Sequence, residues 1–178
     1  MAGADPLNNE IMRGSENNMR NGRGNKAALA AVRDILDKGH DVNKADGSGI
    51  TALLTACQCA ESEIVAFLIE RGADVNQATK ELRITPLQRA CGDTWRHTEM
   101  AKLLLDAGAD INQADARGWT PLMMATLANN AELVKLLCSR GAQLDTTIKC
   151  GMVDTSTAAD LARERGFHAV VEAIEGAR

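Results

Sequence analysis

The sequence predicts an all-α solenoid of about five helix–turn–helix units joined by hairpin-like turns, with atypical first and last units. Three observations carry that expectation. A stop signal ends each apolar helical run, as Gly39-His-Asp-Val-Asn43, Gly72-Ala-Asp-Val-Asn76, Gly108-Ala-Asp-Ile-Asn112 and Gly141-Ala-Gln-Leu-Asp145. A restart signal follows each, as Thr51-Ala-Leu-Leu-Thr-Ala56, Thr85-Pro-Leu-Gln-Arg-Ala90, Thr120-Pro-Leu-Met-Met-Ala125 and Thr157-Ala-Ala-Asp-Leu-Ala162. The glycines stand 33, 36 and 33 residues apart, and self-similarity at such a period marks a stacked array.

Each element has a local cause. Asp5-Pro6 is a helix start, so the irregular polar segment 1–24 is expected to hold a first helix from Pro6 to about Met19. Its partner spans about residues 25–38. From there the units are expected to end near residues 43, 76, 112, 145 and 178. A glycine after a helix can adopt the left-handed conformation that ends it. The restart Thr is an N-cap, and proline after it sacrifices only an N–H that would be unpaired anyway. Between stop and restart lie turns such as Asp46-Gly-Ser-Gly49 and Asp115-Ala-Arg-Gly118. The second helix of a unit shows one broad apolar face, as with Ile64, Val65, Phe67, Leu68 and Ile69.

Composition narrows the classes. Aromatic residues are only 2% of the chain, with no Tyr, so the core must be built from aliphatic side chains, Met and Cys. The net charge of −4 gives no electrostatic footprint for nucleic acid or an anionic membrane. No apolar run approaches the ~20 residues of a membrane span, and no signal pattern opens the chain, so a cytoplasmic or nuclear location is expected. Five irregularly spaced cysteines fit reduced, partly buried thiols better than a disulfide framework or a zinc site.

A turn, two antiparallel helices, a period near 33 and the T-P-L-x-x-A signature together resemble the ankyrin repeat, over roughly residues 25–178. The sequence departs from that family in three places. The family's usual His after T-P-L is replaced by Leu54, Gln88, Met123 and Asp160, which predicts loss of a hydrogen bond to the N-cap Thr. The third unit carries two extra residues around Thr94-Trp-Arg-His97, and the last turn is about four residues longer. Charges replace apolar residues at Asp34 in the first unit and at Glu175 and Arg163 in the last. Both ends are therefore expected to be water-facing caps closing an array of five units.

Chemistry-bearing constellations are weak. Gly22-Arg-Gly-Asn-Lys-Ala27 spells a dinucleotide fingerprint but lacks the preceding strand. His40, His97 and His168 are far apart in the repeat frame, and Cys57-x-Cys59 diverges on a helix. The expectation is a protein with no catalytic residues, no cofactor and no metal. The competing class is a nucleotide- or metal-dependent enzyme or regulator with an unrecognised pocket.

What the resemblance implies is a monomeric interaction module, an adaptor or stoichiometric regulator that binds a protein partner on its concave face. Partners of this family dock on the turn tips and on the ends of the first helices. The matching positions here are Ser48, Ile50, Glu81, Leu82, Ile84, Arg117 and Trp119 at the tips, and Gln58, Cys59, Asp93 and Leu127 at the helix ends. Trp95 joins them, because it lies in an insertion that repeat packing does not require.

Overall fold

A computed structural model describes residues 5–21, 24–92, 98–150 and 153–177. The described residues form five helix pairs: α1 (Pro6–Asn21) with α2 (Gly24–Asp37), α3 (Ala52–Gln58) with α4 (Ser62–Glu70), α5 (Pro86–Gly92) with α6 (Thr98–Asp106), α7 (Pro121–Leu127) with α8 (Ala131–Ser139), and α9 (Ala158–Glu164) with α10 (His168–Glu175). The first helices α1, α3, α5, α7 and α9 stack in one layer, and α2, α4, α6, α8 and α10 stack in the other. The longer last turn adds a small antiparallel hairpin to this helical array. It pairs β1 (Ile148–Cys150) with β2 (Val153–Ser156), opposing Ile148 to Ser156 and Cys150 to Val153.

The core runs continuously between the two helical layers. Leu53, Ala56 and Cys57 of α3, Leu87, Ala90 and Cys91 of α5, and Leu122 and Ala125 of α7 are all essentially inaccessible. These first helices are seven residues long, too short to hold themselves in water, so their helicity depends on this stacking. α1 belongs to the same core, burying Leu7 and Ile11 against α2. Asp5 starts it as expected, accepting the Leu7 N–H on Oδ1 at 3.0 Å.

The restart threonines are true N-caps. Thr51, Thr85, Thr120 and Thr157 each accept the backbone N–H three residues on. The expected loss of a reciprocal bond at the replaced His is corrected at two of the four positions. Gln88 Oε1 accepts the Thr85 N–H at 2.9 Å, and Asp160 Oδ2 accepts the Thr157 N–H at 3.0 Å and its hydroxyl at 2.6 Å. Both are capping boxes, in which the side chain at the third helical position turns back to the cap. Those bonds hold the Asp160 carboxyl below its usual range. Only Leu54 and Met123, being apolar, cannot make the bond.

The Asp-x-Asn of the first three stop signals joins consecutive units. Asp41, Asp74 and Asp110 each accept the N–H of the asparagine two residues on. Asn76 then reaches into the next unit, donating to Gly108 O at 3.2 Å and accepting the Asp110 N–H at 2.7 Å. Asn43 makes the same pair of bonds to Gly72 and Asp74. Asn76→Ala removes both bonds at once, for an expected cost of roughly 1–3 kcal/mol. Urea unfolding checks it; an unchanged midpoint would mean water replaces the bridge without loss.

The proposed cap residues are exposed. Asp34 pairs with Lys38, and Arg163 bridges Asp160 and Glu175 across the last unit, at 2.9 and 2.6 Å. Phe67, which matches Asp34 in the repeat frame, is instead buried, with the guanidinium carbons of Arg33 and Arg71 4.9 and 5.0 Å from its ring centre. Arg33 lies on α2, so this position does face the preceding unit.

Candidate binding face on the turn tips

The tips are built by one device used three times. Asp46 Oδ1 accepts the N–H groups of Ser48 and Ile50, and Asp115 Oδ1 accepts those of Arg117 and Trp119, all at 2.8–2.9 Å. In the middle tip Thr79 takes the role, accepting the Ile84 N–H at 2.9 Å. That tip is one residue longer than its neighbours. Arg83 occupies positive φ (53°) where Gly49 and Gly118 stand in the other two, and the extra length leaves Leu82 44% exposed. Backbone bonds stitch the tips into a row: Lys80 N–H donates to Ser48 O at 3.0 Å, and Ala116 N–H to Leu82 O at 2.9 Å.

Two adjoining hollows open along this row. The smaller, about 130 Å³, is lined by Ser48, Ile50, Thr79, Glu81 and Leu82, together with Ile84 and Arg89. The larger, about 390 Å³, shares Ile84 and Arg89 and adds Gln58, Gln88, Gly92, Arg117 and Met124. Seven of the predicted partner-binding residues are thus brought together: Ser48, Ile50, Gln58, Glu81, Leu82, Ile84 and Arg117. Ile84 is 9% exposed, so it forms floor rather than rim.

The others fall elsewhere. Cys59 is half-buried against α1, its Sγ 3.7 Å from Met12 Sδ. Trp119 is half-buried and packed on the core, with its carbonyl accepting from Gln88 Nε2 at 2.6 Å. Leu127 is half-buried at the end of α7 and lines neither hollow. Asp93 and Trp95 lie outside the described residues.

Sequence reasoning missed Arg89. Its column in the repeat frame reads Thr55, Arg89, Met124 and Leu161, so a lone charge among otherwise uncharged residues was the available signal. Polar chemistry divides cleanly between neighbours. Gln88 is buried and spent on structure, since Nε2 also donates to Gln113 O at 3.2 Å. The Arg89 guanidinium has no hydrogen-bond or ion-pair partner among the described residues. Arg117 keeps Nε 3.5 Å from Asp115 Oδ2, which leaves its terminal nitrogens open. Cysteine chemistry is remote: burial pushes the thiols of Cys57 and Cys91 well up, and those of Cys59 and Cys138 upward too. No three His, Cys, Asp or Glu among the described residues are grouped to hold a metal ion. None of their helices is long and apolar enough to cross a membrane.

Stacked helix pairs, capped by threonine and chained through Asp-x-Asn loops, define a helical repeat protein. The chain belongs to the ankyrin-repeat family: the model for ankyrin repeats (3 copies) matches residues 23–115, 78–148 and 96–174. Among relatives, it is 33% identical over 136 residues to an ankyrin repeat protein of Rickettsia bellii (strain RML369-C), covering 74% of this chain and 39% of that one. It is 30% identical over 153 residues to the ankyrin repeat protein YahD of Escherichia coli (strain K12), covering 82% and 72%. Tyrosine-protein kinase HTK16 of Hydra vulgaris shares 34% identity over 144 residues, 79% of this chain but 18% of the kinase. This chain therefore spans well under half of two of these three relatives. Ankyrin repeats are in general protein–protein interaction modules.

Proposed function

We propose that the chain is a non-catalytic adaptor or stoichiometric regulator that holds a protein partner on the concave face made by its turn tips and first helices. The supporting observation is the pair of adjoining hollows, lined largely by side chains that do not recur from unit to unit. Recurring residues such as Asn76 and Thr85 are consumed by the fold, whereas Leu82, Arg89 and Arg117 are available. A row of tips stitched by backbone bonds is rigid before binding, which limits the ordering cost of association. Asp93 and Trp95 enter this reading on their sequence positions alone. The same reading has the protein acting as a monomer in the cytoplasm or nucleus, without nucleic acid.

Site-specific photocrosslinking tests it. A crosslinker at position 82 or 117 is expected to trap a defined protein adduct, and one at position 140, on the outer layer, is not. Equal labelling from position 140, or no adduct from either tip, would refute the concave-face assignment.

A further inference from the structure

The two hollows differ in chemistry, and that difference specifies a ligand. In the smaller one, Ile50, Leu82 and Ile84 form an apolar surface with Leu82 exposed. An exposed leucine on a tip lengthened by one residue has no packing role to explain it. In the larger one, Arg89 and Arg117 face the same space, and no described lining residue is acidic. This is a local inversion of sign in a chain of net charge −4. Arg89 is unpaired among the described residues, and Arg117 meets Asp115 only through Nε. The planar guanidinium fork matches a carboxylate, for which two parallel N–H donors give both strength and orientation. Because the hollows share Ile84 and Arg89, an extended segment would fill both with neighbouring side chains.

We propose that Arg89 and Arg117 receive a carboxylate side chain of an extended partner segment, whose adjacent aliphatic side chain sits among Ile50, Leu82 and Ile84. The inference rests on the concave-face reading above and narrows it to an acidic–aliphatic protein motif. Glu81, at the rim of the smaller hollow, disfavours a second acid on the aliphatic side of the motif.

A phage-displayed random peptide library selected on the full chain tests this. The expected winners carry Asp or Glu beside Leu, Ile, Val or Met. A fluorescent synthetic copy of the winner should lose affinity by about tenfold or more with Arg89→Glu, and by less with Arg89→Lys, which keeps the charge but not the fork. Binding should also weaken as salt is raised. Thermal unfolding of each variant separates lost binding from lost fold. Winners lost with Leu82→Arg, yet without an acid and indifferent to Arg89→Glu, would overturn the motif and leave the concave face standing. Winners indifferent to Leu82→Arg, Arg89→Glu and Arg117→Glu alike would overturn both readings. Recovery of no peptide, or binding of single-stranded RNA that Arg89→Glu abolishes, would also overturn the motif.

Discussion

Leu87→Ala is expected to lower stability by about 2–5 kcal/mol, the range for emptying a leucine site that cannot collapse. Leu87 is wholly inaccessible and lies on α5, the middle helix of the inner layer, which packs on α3 before it and α7 behind it. The surrounding side chains belong to three stacked helices, so closing the cavity would mean shifting units past one another. A small domain holds only about 5–15 kcal/mol in total, and each unit of an array depends on its neighbours. The expected result is a large fall in the urea midpoint, with the transition broadening as the two halves uncouple. Leu82→Ala is the internal control. It lies five positions earlier, is 44% exposed, and should change stability by no more than roughly 0.5 kcal/mol. Similar costs for the two would mean that burial between the helical layers contributes little to stability.

Gly49→Ala is expected to cost roughly 2–4 kcal/mol, from two separable causes. Gly49 has φ +83°, which any side chain strains, and a Cβ there would stand 2.7 Å from the Lys80 nitrogen. That nitrogen donates to Ser48 O in the tip-to-tip bond, so relieving the contact breaks the stitch between two units. Gly39→Ala isolates the first cause. Its φ is +87° with nothing within 4 Å of the added carbon, so it should show backbone strain alone, roughly 1–2 kcal/mol. If the two variants unfold at the same denaturant concentration, the close approach at Lys80 carries no energy. Gly49→Ala should also weaken binding by any partner that spans the first two tips.

The repeat frame was legible because short-range chemistry repeats with it. Gly at positive φ, Thr at the N-cap and Asp-x-Asn at the loop each satisfy backbone groups within a few residues, so each leaves a mark in the sequence. Helix starts at Pro6, Pro86 and Pro121 followed directly from such marks. The hairpin after α8 was not legible, because its extra residues carried no strong turn signal. The capping boxes at Gln88 and Asp160 are legible in their own spacing, Thr-x-x-Gln and Thr-x-x-Asp, which comparison with the family's histidine obscures.

The sequence by itself determined the architecture, the layer of aliphatic side chains that forms the core, and the row of tips where non-recurring residues cluster. These follow from local hydrogen bonding and from a period that places like residues on like faces. Only the tertiary structure decided how the surface residues divide. Gln88 and Arg89 are consecutive and both polar, yet stacking turns the first inward onto the carbonyls of the next unit and leaves the second facing open space. Cys59 is covered by α1, and Ile84 sinks to the floor that joins two hollows. Such outcomes depend on which neighbour a side chain meets after the units stack, and that contact leaves no local signal in the chain.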